Sequence, residues 1–208
     1  MFALVNKSDN SITKMLSGSR GITIDGVQHP RAIYTLWTEA ERNALDIYTV
    51  EMDYSKIKDE EWYHNTNVTY AFDGSKVTGS YGDATAKAHA DTLYTQEDED
   101  NGLGTKDDVK VVGLKTILIR QVKQDAQSEL SKTDWYVVRK ADTDESVPSA
   151  VGTHRAAVRS KQASMETAIT NASDTPALET LYAYVNTADE GETPVFERPL
   201  GDIPVKEF

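Results

Sequence analysis

The four histidines are the residues best suited to bind a metal or to transfer a proton near neutral pH. They are His29, His64, His89 and His154, and no two of them stand three or four residues apart. That spacing is what lets a helix present two ligands to one metal, and a His-Glu-x-x-His sequence is also missing. We therefore expect no metal site among them.

The serines and glycines do not form a familiar catalytic or phosphate-binding loop either. Residues 17–21 come nearest to the Gly-x-Ser-x-Gly turn of a hydrolase but have a different spacing, and residues 79–82 lack the lysine of a phosphate loop. The chain has no cysteine, which excludes disulfides, thiolate metal sites and cysteine nucleophiles. The sequence thus predicts no catalytic, cofactor-binding or metal-binding residues, and a protein that is not an enzyme.

Two acidic segments remain as candidates. If Glu97 is aligned with the first position of a calcium-binding loop, Asp108 falls at the twelfth. Such a loop requires Asp at the first position and a bidentate Glu at the twelfth, so neither residue fits. We interpret residues 96–105 instead as an acidic linker. The carboxylates at 59–61 precede Trp62, a composition seen near sugar sites, but adjacent positions do not set two carboxylates across a cleft.

The composition excludes further classes of function. Acidic residues outnumber basic ones by 34 to 22, so the net charge of the 208 residues is −12. Such a field repels phosphate backbones, and no nucleic-acid partner is expected. No apolar run approaches the ~20 residues that span a bilayer, so no membrane span is expected. The N-terminal apolar stretch is too short for a signal peptide, which predicts synthesis in the cytoplasm.

The elements that would position any site differ between the two halves. Residues 1–95 are predicted to form a β-rich domain, with short strands at 2–5, 12–16 and 22–24. A hairpin is predicted at 68–78, with Asp73-Gly74 as its loop and Tyr70 opposite Val77. Between them, Thr38 and Glu41 have the spacing of a capping box, which predicts a short helix.

Residues 106–188 read as a helical domain. One apolar stripe recurs every three or four residues from Val111 to Leu130, and a second, after Pro148, runs from Val151 to Ile169. The first helix is predicted to end at residues 133–134, and residues 135–139 form a compact apolar link. A third, short helix begins at residues 175–176. The predicted fold class is α+β, with a small N-terminal β-meander and hairpin region followed by an antiparallel helical hairpin.

The last segment, residues 189–208, shows no periodicity. Prolines recur at 194, 199 and 204, and large apolar residues lie between them. We interpret this extended tail as a peptide that becomes ordered on the surface of another subunit or protein, with an unstructured terminus as the alternative. Its predicted partner-binding residues are Val195, Phe196, Leu200, Ile203 and Phe208.

Two sets of motifs resemble a known family. A long helix, Thr-Asp-Trp at 133–135, Pro148 and His-Arg-Ala-Ala-Val-Arg at 154–159 resemble the C-terminal region of bacteriophage tail fibre assembly proteins. Residues 2–16, 24–27, 36–42 and 45–47 are similar to the start of the same proteins, and of other tailed-phage proteins encoded near tail fibre genes. His154 stands where the family usually has Tyr, and Asp46 where it has Gly.

The resemblance implies structure and partner contact rather than catalysis. It favours a structural protein of the phage tail, a virion component at the tail tip or fibre attachment, which binds other tail or tail fibre proteins as an oligomer in the assembly. The alternative is a tail fibre assembly chaperone that is absent from the mature virion. The motif residues Trp135, Arg139, Arg155 and Arg159 then become partner-binding candidates, although Trp135 also fits a core position at a helix corner.

Overall fold

Two units of structure divide the chain in the computed structural model, which describes residues 1–208 without a gap. Met1–Thr85 consists mainly of strands, and Ala86–Phe208 mainly of helices, so the predicted α+β class is confirmed. The division falls at 85/86, ten residues before the predicted boundary. The reason is local: Lys115 and Leu114 donate from the start of a long helix to the carbonyls of His89 and Ala88, which ties residues 88–89 to the helical unit.

The first unit contains nine strands and a short helix. In chain order they are β1 (Phe2–Asn6), β2 (Ser11–Leu16), β3 (Ile22–Ile24), β4 (Val27–His29), a 3-10 turn (Arg31–Tyr34), α1 (Glu39–Asn43), β5 (Ile47–Asp53), β6 (Tyr63–His64), β7 (Thr69–Phe72), β8 (Val77–Ser80) and, at the boundary between the units, β9 (Thr85–Ala86).

Five of these strands make the main sheet, in the order β2-β1-β5-β8-β7. The central strand β5 is antiparallel to β1 and parallel to β8, and both outer pairs are antiparallel hairpins. Side chains alternate along β1, so Ala3 and Val5 enter one core cluster whereas Phe2 and Leu4 pack against another. Both faces of the sheet therefore carry buried side chains.

The local signals of this unit fold largely as predicted. Asp25 and Gly26 have positive φ angles of 47° and 78°, the conformation of a tight hairpin turn, and join Ile24 to Val27. The capping box is present: Glu41 N donates to Thr38 Oγ1 at 3.3 Å, and Thr38 N donates to Glu41 Oε2 at 2.7 Å.

The β7–β8 hairpin is correct in place but wrong in register. Val77 pairs with Phe72, not with Tyr70, because the loop has four residues instead of two. Asp73 Oδ1 accepts hydrogen bonds from the amides of Ser75 and Lys76 and from the Ser75 hydroxyl, and these bonds hold the wider loop closed. The shift is by two residues, so Phe72 and Val77 still face the core as expected.

The second unit contains the helices. Its elements are β10 (Thr92–Leu93), α2 (Gln96–Asp100), β11 (Val109–Val111), α3 (Leu114–Ser131), α4 (Asp134–Thr143), α5 (Ser149–Asn171), α6 (Thr175–Tyr182), β12 (Val185–Asn186) and β13 (Phe196–Glu197). No helix has both the length and the hydropathy that crossing a bilayer requires.

Helices α3 and α5 pack antiparallel over most of their length. Lys115 near the start of α3 donates to the Thr170 carbonyl near the end of α5, and Arg155 near the start of α5 donates to the Leu130 carbonyl near the end of α3. Val111, predicted to begin the first stripe, lies exposed in β11. The rest of both stripes is largely buried, through Leu114, Leu118, Val122 and Ala126 on α3 and Val151, Val158, Met165 and Ile169 on α5. The helical hairpin is thus present, with α4 between its two arms.

Two segments predicted to be irregular are helical. The acidic linker predicted at 96–105 begins instead with α2, where Thr95 and Asp98 form a capping box and Lys110 Nζ donates to Asp98 Oδ1 at 2.6 Å. These bonds to Lys110 and Thr95 lower the pKa of Asp98 to about 2. The apolar link predicted at 135–139 lies in α4, so the chain has a full helix where we expected a short connection.

Candidate interaction site

Helix α4 is the one long element of the second unit that buries none of its side chains. Its apolar residues point to solvent instead: Val138 is 66% exposed, Trp135 52% and Val137 44%. Trp135 therefore does not fill a helix corner, which corrects one of the two interpretations of this residue. A patch of this kind, rimmed by charged residues, is typical of a surface that binds another protein.

The aromatic side chains of α4 are ordered against one another. The rings of Trp135 and Tyr136 lie 3.9 Å apart between centroids, and the Arg139 guanidinium lies 4.9 Å from the Trp135 ring. Arg139 is also held by Glu145, with 2.9 Å between Nε and Oε2. Cation–π contacts of this type hold the aromatic side chains in place before any partner arrives. We call Trp135, Val138 and Arg139, which share one face of the helix, the α4 patch.

The start of α4 is fixed by a buried arginine from α5. Arg155, 8% exposed, donates to the Leu130 carbonyl at 2.7 Å and to Thr133 Oγ1 at 2.8 Å, and it forms an ion pair of 2.8 Å with Asp134. The planar guanidinium can satisfy all three acceptors at once. Arg155 thus sets the angle at which α4 leaves α3. Because Arg155 is buried, it is not available to a partner, contrary to the prediction.

A second buried polar group lies beside this junction. Glu129, 5% exposed, accepts at Oε1 from His154 Nε2 at 2.9 Å and from the Lys206 amide at 3.0 Å, and at Oε2 from Lys132 Nζ at 2.5 Å. Led by the bond from Lys132, these contacts lower the pKa of Glu129 to about 2. The carboxylate therefore joins α3, α5 and the C-terminal segment as a stable anion.

The end of the C-terminal segment, from Leu200 onward, contacts the chain's own helices. Leu200 is 3% exposed, its amide donates to the Leu181 carbonyl at 2.9 Å, and its carbonyl accepts from Lys161 Nζ at 2.7 Å. Phe208 packs against His154 with 5.3 Å between ring centroids. The prediction that this segment binds another subunit is wrong for Leu200, which is buried within the chain, and stays a prediction for the exposed Val195 and Phe196.

The predicted partner-binding residues therefore separate into three groups. Trp135 and Arg139 come together on α4. Leu200 and Arg155 are buried, while Ile203 is partly buried beside Asp125 and Glu129 in a cavity of about 460 Å³. Four others are exposed at separate places: Val195 and Phe196 near the β12–β13 pair, Phe208 at the terminus and Arg159 on α5.

The sequence did not lead us to predict a role for Glu129 or for the patch residue Val138. A signal for Glu129 existed, because it follows Val122 and Ala126 at helical spacing, and a carboxylate on a buried stripe needs a partner such as His154. No group of three or more His, Asp or Glu side chains lies close enough together to hold a metal ion.

No protein-family model matches this sequence, and comparisons with curated proteins and with solved structures return no match.

Proposed function

We propose that this chain is a structural protein of a bacteriophage tail, placed at the tail tip or fibre attachment, where it makes contacts with other tail or tail fibre proteins. The family resemblance of the Thr-Asp-Trp motif at 133–135 motivates the phage assignment. The observation that carries the protein-contact role is the α4 patch, which includes the tryptophan of that motif.

The energetics of α4 support this role. Isolated helices shorter than about 12–15 residues are marginal in water, and α4 has ten residues with no buried side chain. Its connection to Arg155 holds only its first turn. Burying large apolar side chains such as Trp135 and Val138 against a partner would add roughly 1.5–3 kcal/mol for each fully buried residue. A partner that covers the α4 patch would thus stabilise helix α4.

Mass spectrometry of purified particles tests the virion assignment, and incorporation of variants tests the patch. We expect the protein in mature particles at a fixed ratio to the other tail proteins. Val138→Asp places a charge in the patch and should abolish incorporation while leaving the helical circular dichroism unchanged. Ile117→Asp is the matched control, because Ile117 is also an exposed aliphatic residue, 45% exposed, on helix α3 of the same unit.

The outcomes separate the alternatives. A protein that is abundant in infected cells but absent from particles would favour the assembly chaperone, and the tail fibre should then fail to trimerise when it is expressed without this chain. If Val138→Asp and Ile117→Asp are incorporated equally well, the α4 patch does not mediate the contact.

A further inference from the structure

A cavity of about 420 Å³ in the first unit has an unusual lining for so acidic a chain. It lies where the loop at 17–21 passes from β2 to β3, over the sheet face that carries Leu4 and Leu16. Lys14, which pairs with Leu4 in the register of β1 and β2, and Arg20 are both part of its wall. No Asp or Glu lines it, although the chain has 34 acidic residues.

The two cations of this cavity are also free of partners. Other basic side chains of the unit are engaged: Lys7, Lys56 and Lys76 pair with carboxylates, Arg42 donates to the Trp37 carbonyl, and Lys58 lies over the Tyr63 ring. Lys14 and Arg20 form neither ion pairs nor hydrogen bonds. Arg31 is likewise unpaired, but it lies outside the cavity lining.

The side chain of Tyr34 provides a second, independent observation. Tyr34 is 8% exposed and lines the cavity, with its ring against Phe2 at 4.9 Å between centroids. Its hydroxyl makes no hydrogen bond within the chain. Burial raises the pKa of Tyr34, so the group remains a hydrogen-bond donor at neutral pH. The hydroxyl keeps exposed surface, so it can donate to a ligand in the cavity that Tyr34 lines.

The loop supplies further donors. Gly18 has a φ of +73°, and the amides of Gly18 and Arg20 have no hydrogen-bond partner in the chain. The hydroxyls of Ser17 and Ser19 lie 2.6 Å apart at the same wall. Backbone amides, hydroxyls and a guanidinium around one concavity are the groups that bind phosphate oxygens in proteins.

We propose that this cavity binds the phosphate group of a small phosphate monoester, with Lys14, Arg20 and Tyr34 as its ligands. The volume exceeds what a phosphate ion alone occupies and lies in the usual range for small-molecule pockets. The non-phosphate part of the ligand would then lie over Leu4 and Ile22 at the apolar side of the cavity.

Titration of the full-length protein followed by amide NMR tests the proposal, with inorganic phosphate and glucose 6-phosphate as probes. We expect saturable shifts at the amides of residues 17–21, with glucose 6-phosphate binding more tightly than phosphate and glucose not binding. Arg20→Gln should weaken binding about tenfold or more, because a charged hydrogen bond is lost. Tyr34→Phe should weaken it by a smaller factor, and Arg31→Gln, the unpaired cation outside the cavity, should leave it unchanged.

Three results would overturn the proposal. The first is the absence of saturable shifts with either phosphate probe. The second is equal weakening by Arg20→Gln and Arg31→Gln, which would indicate a general attraction of anions to basic side chains. The third is glucuronate binding as tightly as glucose 6-phosphate, which would assign the cavity to carboxylates. Arg20 is exposed, so its replacement leaves the fold intact and the spectra of the variants remain comparable.

Discussion

Replacing Glu129 with Gln tests whether one buried carboxylate holds the second unit together. Gln keeps the shape of the side chain and an oxygen that can still accept from His154 Nε2 and the Lys206 amide. What it loses is the negative charge. Both bonds then change from charge-assisted to neutral, and the third contact, from Lys132, is broken.

The expected loss of stability follows from these contacts. A hydrogen bond to a charged group contributes about 1.5–3 kcal/mol and a neutral one about 0.5–1.5 kcal/mol, so the two retained bonds together weaken by about 2 kcal/mol. The Lys132 side chain is 50% exposed and can turn to solvent, so its ion pair adds less than about 1 kcal/mol. We therefore expect Glu129→Gln to lower the free energy of unfolding by about 2–3 kcal/mol at pH 7.

The same reasoning predicts a pH dependence with a definite sign. The pKa of Glu129 lies at about 2 in the folded chain, below the ordinary value of 4.5. The stabilisation is therefore complete above about pH 4.5 and is lost as the pH falls through 2. The difference between the wild type and Glu129→Gln should be largest near neutral pH and should shrink between pH 4.5 and 2.

Urea unfolding followed at 222 nm measures this difference, because the long helices lie in the second unit. With a typical urea dependence for a domain of this size, the midpoint should fall by about 1 M or more. Lys132→Gln is the control, since it keeps the carboxylate and its bonds to His154 and Lys206. If Glu129→Gln unfolds at the wild-type midpoint, or if the difference persists unchanged at pH 2, the carboxylate does not act as argued.

Three further substitutions give separate checks by the same unfolding assay. Leu200→Ala should cost about 2–5 kcal/mol, because Leu200 is 3% exposed; a change below 1 kcal/mol would show that the C-terminal segment does not stabilise the helices. Thr38→Ala should cost about 1 kcal/mol in the first unit through loss of the capping box, while Thr35→Ala, outside the box, should cost less. Asp46 has a φ of 60°, so Asp46→Val should cost about 1–2 kcal/mol more than Asp46→Gly, and equal stability would contradict a left-handed requirement.

Local patterns allowed much of the fold to be predicted. The Asp25-Gly26 turn, the Thr38 capping box and the stripes of α3 and α5 depend on residues a few positions apart, and all are present. The central strand β5 was not predicted. Its signal was present, because apolar Tyr48, Val50 and Met52 alternate with polar residues along the strand, and only Ile47 at its start interrupts the pattern.

The misinterpreted segments share another cause. Apolar residues indicate burial but do not say against which surface. For the residues of α4 this led us to predict a compact apolar link, whereas the structure has an exposed helix. For Leu200 it led us to predict a partner protein, whereas this residue packs on the chain's own helices through Leu181 and Lys161. Similarly, the unpaired state of Lys14 and Arg20 depends on tertiary placement and leaves no trace in the sequence.

The parallel pairing of β5 with β8 has a consequence for how the first unit folds. The hairpins β1–β2 and β7–β8 join neighbouring segments and can close within microseconds. The pairing of Val50 with Val77 and of Asp53 with Ser80 must instead wait until the intervening chain, which includes β6 and β7, has been brought back across the sheet. Closing a long loop before its contacts form slows folding. We expect this pairing to be the rate-limiting step, with Val77 contributing to the barrier and Ile24, in a local hairpin outside the main sheet, contributing little.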